Sequence, residues 1–259
     1  MGKVGLYDFI PPIFVRGIKW LIRKVKPDYR VKLKDGIRAH PFDSVSSDLS
    51  VKWVLDIGAN VGDVTFAALD AYPECNVICI EPVKDTFSRL KERLKPFSKR
   101  VHLYNIALSD HSGHEEINLT TSDGANSILP QSQFHKHLNP HIKELDKETI
   151  IIETLDDFSS SFPSQKIDIM KIDVEGYELN VLKGGEKFIE NNVDTIIIEI
   201  ALMRDESWEN QSIFEIFNIL NKMGFRLVNI IDLCHVADDT LLVQMDCVFR
   251  NKDNLTMPV

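Results

Sequence analysis

Three groups of residues in this 259-residue chain have the types and spacing to do chemistry. The first is Asp56-Ile57-Gly58-Ala59-Asn60-Val61-Gly62-Asp63, which joins an apolar run to an amphipathic one. A turn of this kind, from strand to helix, is where open α/β sheets hold ligands. Gly58 allows a sharp turn and bare backbone for a ligand to lie on, and Gly62 allows a close approach at the helix start. The second is Glu81, 19 residues after Gly62, closing the next apolar run. The third is Asp173-Val174-Glu175-Gly176, two carboxylates at the end of a strand with a glycine to turn the chain. Carboxylates in that place can take the proton of an attacking hydroxyl, or serve only to fix a loop or an amino group.

The charge of the glycine loop decides what it suits. A dinucleotide fingerprint needs glycines at positions 58, 60 and 63, and here Asn60 and Asp63 stand at the last two. A pyrophosphate would meet the Asn60 side chain and be repelled by Asp56 and Asp63, so a nicotinamide oxidoreductase fits poorly. A ligand with a positive charge and an ammonium group fits better. S-adenosylmethionine has both, in its sulfonium and its amino acid tail. Asp56 would balance the cationic end, and N–H groups at the helix start would take the carboxylate. Glu81 would accept hydrogen bonds from both ribose hydroxyls.

The elements that must position these groups follow from hydrophobic patterning. Lys52–Ile57, Asn76–Ile80, Val101–Ile106, Ile167–Ile172 and Asp194–Ile200 read as buried strands. Val61–Tyr72, Lys84–Lys95, Tyr177–Asn191 and Glu209–Met223 read as helices between or after them. Phe225–Ile231 and Leu242–Phe249 follow without a helix between them, which predicts an antiparallel hairpin closing a parallel sheet covered on both faces. Between Ser109 and Glu153 the pattern weakens to short strands, Glu115–Leu119 and Ile150–Glu153, around a polar loop that is a candidate lid over the substrate. Ligands of such sheets sit at the carboxyl ends of the strands. That rule points to Asp56–Gly62, Glu81, Asn105–Ala107, Asp173–Gly176 and Glu199.

Four of these pieces, in this order, make the chain resemble the FkbM-type S-adenosylmethionine-dependent methyltransferases. They are Leu55-Asp56-Ile57-Gly58-Ala59-Asn60-Val61-Gly62, then Glu81-Pro82, then Asn105-Ile106-Ala107-Leu108-Ser109-Asp110, and then Lys171-Ile172-Asp173-Val174-Glu175-Gly176-Tyr177-Glu178 with Val181-Leu182-Lys183-Gly184. Thr154-Leu155-Asp156-Asp157 is similar to the segment that precedes the last. The first two pieces occur in many methyltransferases, whereas Lys-x-Asp-x-Glu-Gly is more specific. The resemblance covers residues 51–200. It implies a Rossmann-like class I methyltransferase fold: a seven-stranded, mostly parallel sheet whose last strand is antiparallel, with helices on both faces. It implies methyl transfer to the hydroxyl of a small molecule or sugar. Asp56, Gly58, Asn60 and Gly62 would cradle the methionine part, Glu81 the ribose, and Asn105 to Ala107 would border the adenine. Asp173 and Glu175 would face the methyl group and the acceptor.

Other features admit a sharp and a bland reading. Asp173 and Glu199 could share a divalent ion that lowers the pKa of a bound hydroxyl. His135, His137 and His141 have a spacing that could ligate zinc, or are solvated loop histidines. Asn126 and Ser127 could reach the acceptor from the lid. Cys75, Cys79, Cys234 and Cys247 form no CxxC pair and read as small apolar residues in a reducing compartment.

Composition bounds the rest. The chain is 44% hydrophobic and 27% charged with a net charge of −9, a globular composition that argues against a general nucleic-acid binder. Residues 1–38 are basic, with ten Lys/Arg against three Asp/Glu. Within 13–26, Phe14, Ile18, Leu21, Ile22 and Val25 share one face and Arg16, Lys19, Arg23 and Lys26 the other. Such a helix packs on its own domain, on a second copy in a homodimer, or on an anionic membrane surface. The expected organisation is an extension over 1–50 and a methyltransferase domain over 51–259, with 109–153 inserted. No secretory signal is visible, which makes the cytoplasm, or the inner face of its membrane, the expected location. Two other classes of function compete: a non-catalytic nucleoside-binding module, which would not need the Asp173–Glu175 cluster, and a membrane-surface adaptor, which would leave the glycine loop unexplained.

Overall fold

The computed structural model describes residue 42 and residues 50–202, 212–236 and 241–254. The amphipathic segment at 13–26 and the first turn of the helix expected from Glu209 lie outside the described residues. In chain order the elements are β1 (Trp53–Ile57), α1 (Asp63–Ala71), β2 (Asn76–Ile80), α2 (Lys84–Leu94), β3 (Val101–Tyr104), β4 (Ala107–Ser109), β5 (Gly113–Thr120), α3 (Gln133–Leu138), β6 (Glu144–Thr154), α4 (Leu155–Phe158), β7 (Ile167–Ile172), α5 (Glu178–Lys183), α6 (Glu186–Asn192), β8 (Val193–Ala201), α7 (Ile213–Lys222), β9 (Phe225–Val236) and β10 (Leu241–Asn251).

Seven strands form one sheet in the order β3-β2-β1-β7-β8-β10-β9. Strands β1, β2, β3, β7 and β8 run parallel, and β10 runs antiparallel to both β8 and β9. This is the sheet that the resemblance implies, with the predicted hairpin at one edge. The hairpin folds so that the last strand, not the one before it, pairs with β8. The order reverses at β1, and the carboxyl ends of β1 and β7 lie side by side there. Ligands of open α/β sheets bind at such a reversal.

The strands are apolar on both faces, as parallel strands must be when helices cover both. Leu55, Ile57, Ile78, Ile80, Met170, Ile172, Ile196 and Ile198 join one core with α5, α6 and α7. Val54, Val77, Cys79, Ile169, Ile197 and Val248 join the other with α1 and α2. Phe42 is buried in this second core and meets Tyr72 edge to face. Cys75, Cys79 and Cys247 are buried and all four cysteines are free.

The segment 109–153 is more ordered than its sequence suggests. Strand β5 extends over Gly113–Thr120 and β6 over Glu144–Thr154, and β6 pairs antiparallel with β5 and parallel with β4, giving a second, three-stranded sheet. Ile117, Ile150 and Ile152 pack with Ala107 and Val83 beneath it. The strand expected over Val101–Ile106 is shorter: β3 ends at Tyr104, and the chain leaves the large sheet to begin the small one at Ala107.

The single helix expected over Tyr177–Asn191 is two, α5 and α6, broken at Gly184-Gly185. The cause is contact with β4. A Cβ on Gly184 would lie 1.8 Å from the Ser109 carbonyl oxygen, so only glycine lets the two backbones touch. Asp156 stitches the same junction: its N–H donates to the Gly184 carbonyl at 2.9 Å, and its Oδ1 accepts from the Phe188 N–H at 2.8 Å. Among the described residues no helix is long and apolar enough to cross a membrane.

Gly184 has an ordinary helical φ of −76°, so its substitution tests sterics alone. Gly184→Ala is expected to cost about 2–3 kcal/mol in urea unfolding, as overpacking against a backbone atom does. An unchanged midpoint would mean that β4 and α5 separate at no cost.

Candidate functional site

Strand β1 ends on the glycine loop, and the loop is held from two sides. On one side, the Gly58 and Ala59 N–H groups donate to the Ile80 carbonyl at 3.0 and 2.9 Å. On the other, the Asp173 N–H donates to the Ile57 carbonyl at 3.0 Å. Gly58 has φ +82°, and a Cβ there would fall 1.8 Å from the Asp173 carbonyl oxygen. The residue must therefore be glycine for the sake of the neighbouring strand end, a stronger reason than the ligand contact that its sequence context suggests. Gly62, at φ +91°, brings the start of α1 against Leu90 of α2, as expected.

Asp56 is buried on the α1 face of β1, where its Oδ2 accepts from Thr65 Oγ1 at 2.6 Å. Burial lifts its pKa to about 6, against the hydrogen bond from Thr65 and the attraction of Lys171. Its Oδ1 has no hydrogen-bond partner among the described residues, and neither has Asn60 Oδ1. Buried oxygens without donors are rare and point to a ligand or water. Asn60 itself is left-handed, with φ +48°.

Glu81 is buried beside them. Its Oε2 accepts from the Asn60 N–H at 3.0 Å and its Oε1 from the Val83 N–H at 2.9 Å. Each oxygen keeps one lone pair for a further donor. Burial raises its pKa to about 7, opposed by the two amides. Asn105 spends its side-chain amide on the carbonyls of Glu81 and Pro82, at 2.9 and 2.8 Å, and so fixes the turn that presents Glu81. Ala107 lies in β4 and is part of the small-sheet core.

The acceptor-side candidates cluster at the ends of β7 and β8. Carboxylate oxygens of Asp173, Glu175 and Glu199 lie within 4.8 Å of one another, among the described residues the one group of side chains close enough to share a cation. Glu175 has φ +53°, uncommon for a residue with a side chain, and the loop is tied down on both sides of it. Glu178 Oε1 accepts from Val174 and Gly176 N–H groups at 3.3 and 3.0 Å, and Ser127 Oγ donates to the Glu175 carbonyl at 2.8 Å. Ser127 thus reaches this loop from the inserted segment, whereas Asn126 turns back to its own strand and accepts from the Thr120 N–H at 2.7 Å. The segment is latched to α2 by Arg89 and Asp123 at 2.7 Å. His137 and His141 are exposed and belong to no ligating group among the described residues.

Lys171 lies beneath the carboxylates, only 2% exposed, with its Nζ 3.3 Å from Asp173 Oδ2 and 3.3 Å from Asp246 Oδ1. Burial opposes its charge, but Asp173, Asp246 and Glu199 together hold its pKa above the ordinary range. Glu199 accepts from Gln244 Nε2, and burial among Asp173 and Glu175 pushes its carboxyl well above the usual range. Asp246 is likewise raised by burial, against the attraction of Lys171. The sequence reading missed Gln244 and Asp246. Their signal was present: two polar residues, two apart, in an otherwise apolar strand.

Comparison with known proteins finds a matching family and several relatives. A model of the methyltransferase FkbM domain matches residues 56–227. The 2-O-methyltransferase NoeI of Sinorhizobium fredii is 29% identical over 140 residues, which are 52% of this chain and 57% of that protein. The hexuronic acid methyltransferase AglP of Haloferax volcanii is 30% identical over 181 residues, 70% of this chain and 65% of that protein. The chain thus spans less than two thirds of the length of either. A crystal structure of methyltransferase FkbM from Methylobacillus flagellatus KT superposes with a TM-score of 0.49 at 16% identity, covering 81% of this chain and 48% of that one.

The raised Asp56 carboxyl has a consequence for stability. Its pKa is 3.8 ordinarily and about 6 in the fold, so between those values the folded state holds a proton that the unfolded state has lost. Stability from this group is then fully present below pH ~4 and is lost as pH rises through about 6. Asp56→Asn is expected to stabilise the ligand-free protein by about 2 kcal/mol at pH 8, with the gain vanishing at pH 4 in urea titrations. A gain that is equal at both pH values would contradict the assignment.

Proposed function

Because the chain belongs to the FkbM methyltransferase family, we propose that it transfers a methyl group from S-adenosylmethionine to a hydroxyl of a sugar-like acceptor. The observation that carries the cofactor reading is the pair of buried acceptors without donors, Asp56 Oδ1 and Asn60 Oδ1, in a loop with no basic residue. Such a loop asks for a cation and hydrogen-bond donors, and repels phosphate. Asp56 and Asn60 would hold the methionine end, and Glu81, with its two free lone pairs, the ribose hydroxyls. The cofactor supplies a methyl group activated on a sulfonium. The chain's own residues do the rest: they align the acceptor, exclude water and receive a proton.

An alcohol must lose its proton as its oxygen attacks, and Asp173 is the carboxylate best placed to take it. It stands at the end of β7, partly exposed, with Lys171 holding one oxygen. Glu175 and Glu199 beside it would accept hydrogen bonds from neighbouring hydroxyls, an arrangement that suits a polyol. The names of NoeI and AglP, one a 2-O-methyltransferase and one acting on a hexuronic acid, support an oxygen acceptor on a sugar. A shared divalent ion is the weaker alternative, because Lys171 already supplies a cation to this cluster.

Two titrations test the cofactor. S-adenosylmethionine is expected to bind with micromolar affinity by calorimetry, NAD not to bind, and Glu81→Ala to lose at least about tenfold. Glu81 loses its charge below about pH 7, so affinity is expected to rise between pH 6 and pH 8 and to be flat in Glu81→Gln. The acceptor is tested by transfer of labelled methyl from S-adenosylmethionine to a panel of hexoses, amino sugars and hexuronic acids. Binding of NAD in place of S-adenosylmethionine would sink the reading.

A further inference from the structure

Lys171 is hard to explain as a structural residue. A sheet face packed by Ile169, Ile197 and Val248 would be filled more stably by leucine or methionine, since buried ion pairs seldom repay the cost of desolvating their charges. Yet this ammonium is buried, and its stem crosses over β8 to reach a carboxylate two strands away. Strand register explains how. Lys171 lies opposite Ile197 on β8, and Glu199, two residues on and on the same face, lies opposite Asp246 on β10. The antiparallel last strand therefore delivers a carboxylate to the same level as the ends of β7 and β8. Gln244, the next residue of β10 on that face, secures Glu199.

We infer that Lys171, pinned from beneath by Asp246, is a positioning residue that aims the Asp173 carboxylate at the methyl group to be transferred. The ammonium touches one oxygen of each partner, Asp173 Oδ2 and Asp246 Oδ1, at 3.3 Å each. With Asp246 fixing one side, the ammonium cannot follow Asp173 as that side chain changes rotamer, so Asp173 is held with its other oxygen directed away from Lys171. The last strand, which supplies no residue of the glycine loop, thereby governs the orientation of the base. This role rests on the reading of Asp173 as the residue that faces the methyl group.

The test needs no acceptor. S-adenosylmethionine labelled with carbon-13 at the transferred methyl is bound to the full chain, and the proton and carbon shifts of that methyl are read by NMR. A carboxylate close to a sulfonium methyl displaces both through its field. Asp173→Asn is expected to move the bound signal. Lys171→Met is expected to move it in the same direction and broaden it, while Lys171→Arg restores the wild-type position at least halfway. Every spectrum is taken at saturating cofactor, so that the shift reports orientation and not loss of binding. Should Lys171→Met fail to fold because it orphans Asp246, the double variant Lys171→Met with Asp246→Leu removes both charges, and is expected to melt no lower than wild type and to show the same displaced signal. A signal that moves in Asp173→Asn but stays in place without Lys171 overturns the positioning role alone. A signal unmoved in Asp173→Asn overturns the reading of Asp173 and the positioning role with it.

Discussion

The carbonyl oxygen of Asp173 fills the space that a side chain on residue 58 would need. This contact, where the ends of β1 and β7 meet, fixes the two loops of the site relative to each other. Moving one strand end means moving the other, because the Asp173 N–H is also bonded to the Ile57 carbonyl. A left-handed residue follows on each side of the contact, Asn60 in one loop and Glu175 in the other. Each such residue costs of order 1 kcal/mol or more and persists only where its surroundings hold it. Here Glu81 holds the Asn60 amide, and Ser127 holds the Glu175 carbonyl. The loop proposed to bind the methyl donor and the loop proposed to bind the acceptor are thus built as one rigid unit, which is what an in-line transfer between two ligands requires.

The electrostatics follow from that geometry. Asp56, Asp173, Glu175, Glu199 and Asp246 converge on the ends of three central strands and on the last one, with Lys171 among them. Burial therefore raises the carboxyls of Asp56, Glu199 and Asp246. A fold optimised for stability alone would not gather so many acids beneath so little solvent. The arrangement is costly when empty and becomes favourable when a cation or a set of hydroxyl donors arrives. A sulfonium with an ammonium tail is a ligand that such a field selects, and a pyrophosphate is one that it rejects.

How much of this was legible in the sequence depended on whether local pattern or long-range contact set the feature. The strands of the large sheet, the hairpin at its end and the residues of the glycine loop were legible, because burial on both faces gives unbroken apolar runs and a strand-to-helix turn gives Gly58 and Gly62. The two helices read as one were not. The apolar spacing of residues 177–191 runs across Gly184-Gly185, a pair that hints at a break, but the contact that requires glycine there is with Ser109, far away in the chain. The small sheet was half legible, since its core rests on few large apolar residues, chiefly Ile117, Ile150 and Ile152, and most of its outer positions are polar or charged. Asp246 was missed for the same reason as the helix break: an acid in an apolar strand has meaning only once the strand's neighbours are known, and the antiparallel insertion of β10 beside β8 is a property of the whole sheet.

That insertion also bears on how acceptor choice and catalysis are separated. The residues proposed to hold and aim the reacting carboxylate, Lys171 and Asp246, lie on sheet strands whose positions are fixed by register along their whole length. The residues that meet this site from the inserted segment are held to the rest of the fold at fewer points, among them Ser127 to the Glu175 carbonyl, Asp123 to Arg89 and Glu148 to Lys84. Because the small sheet has its own core, residues between β5 and β6 other than Ser127 can vary in length and chemistry without disturbing the contact between Gly58 and Asp173. Fixed strands would then carry the chemistry common to the family, and the insert would select the acceptor.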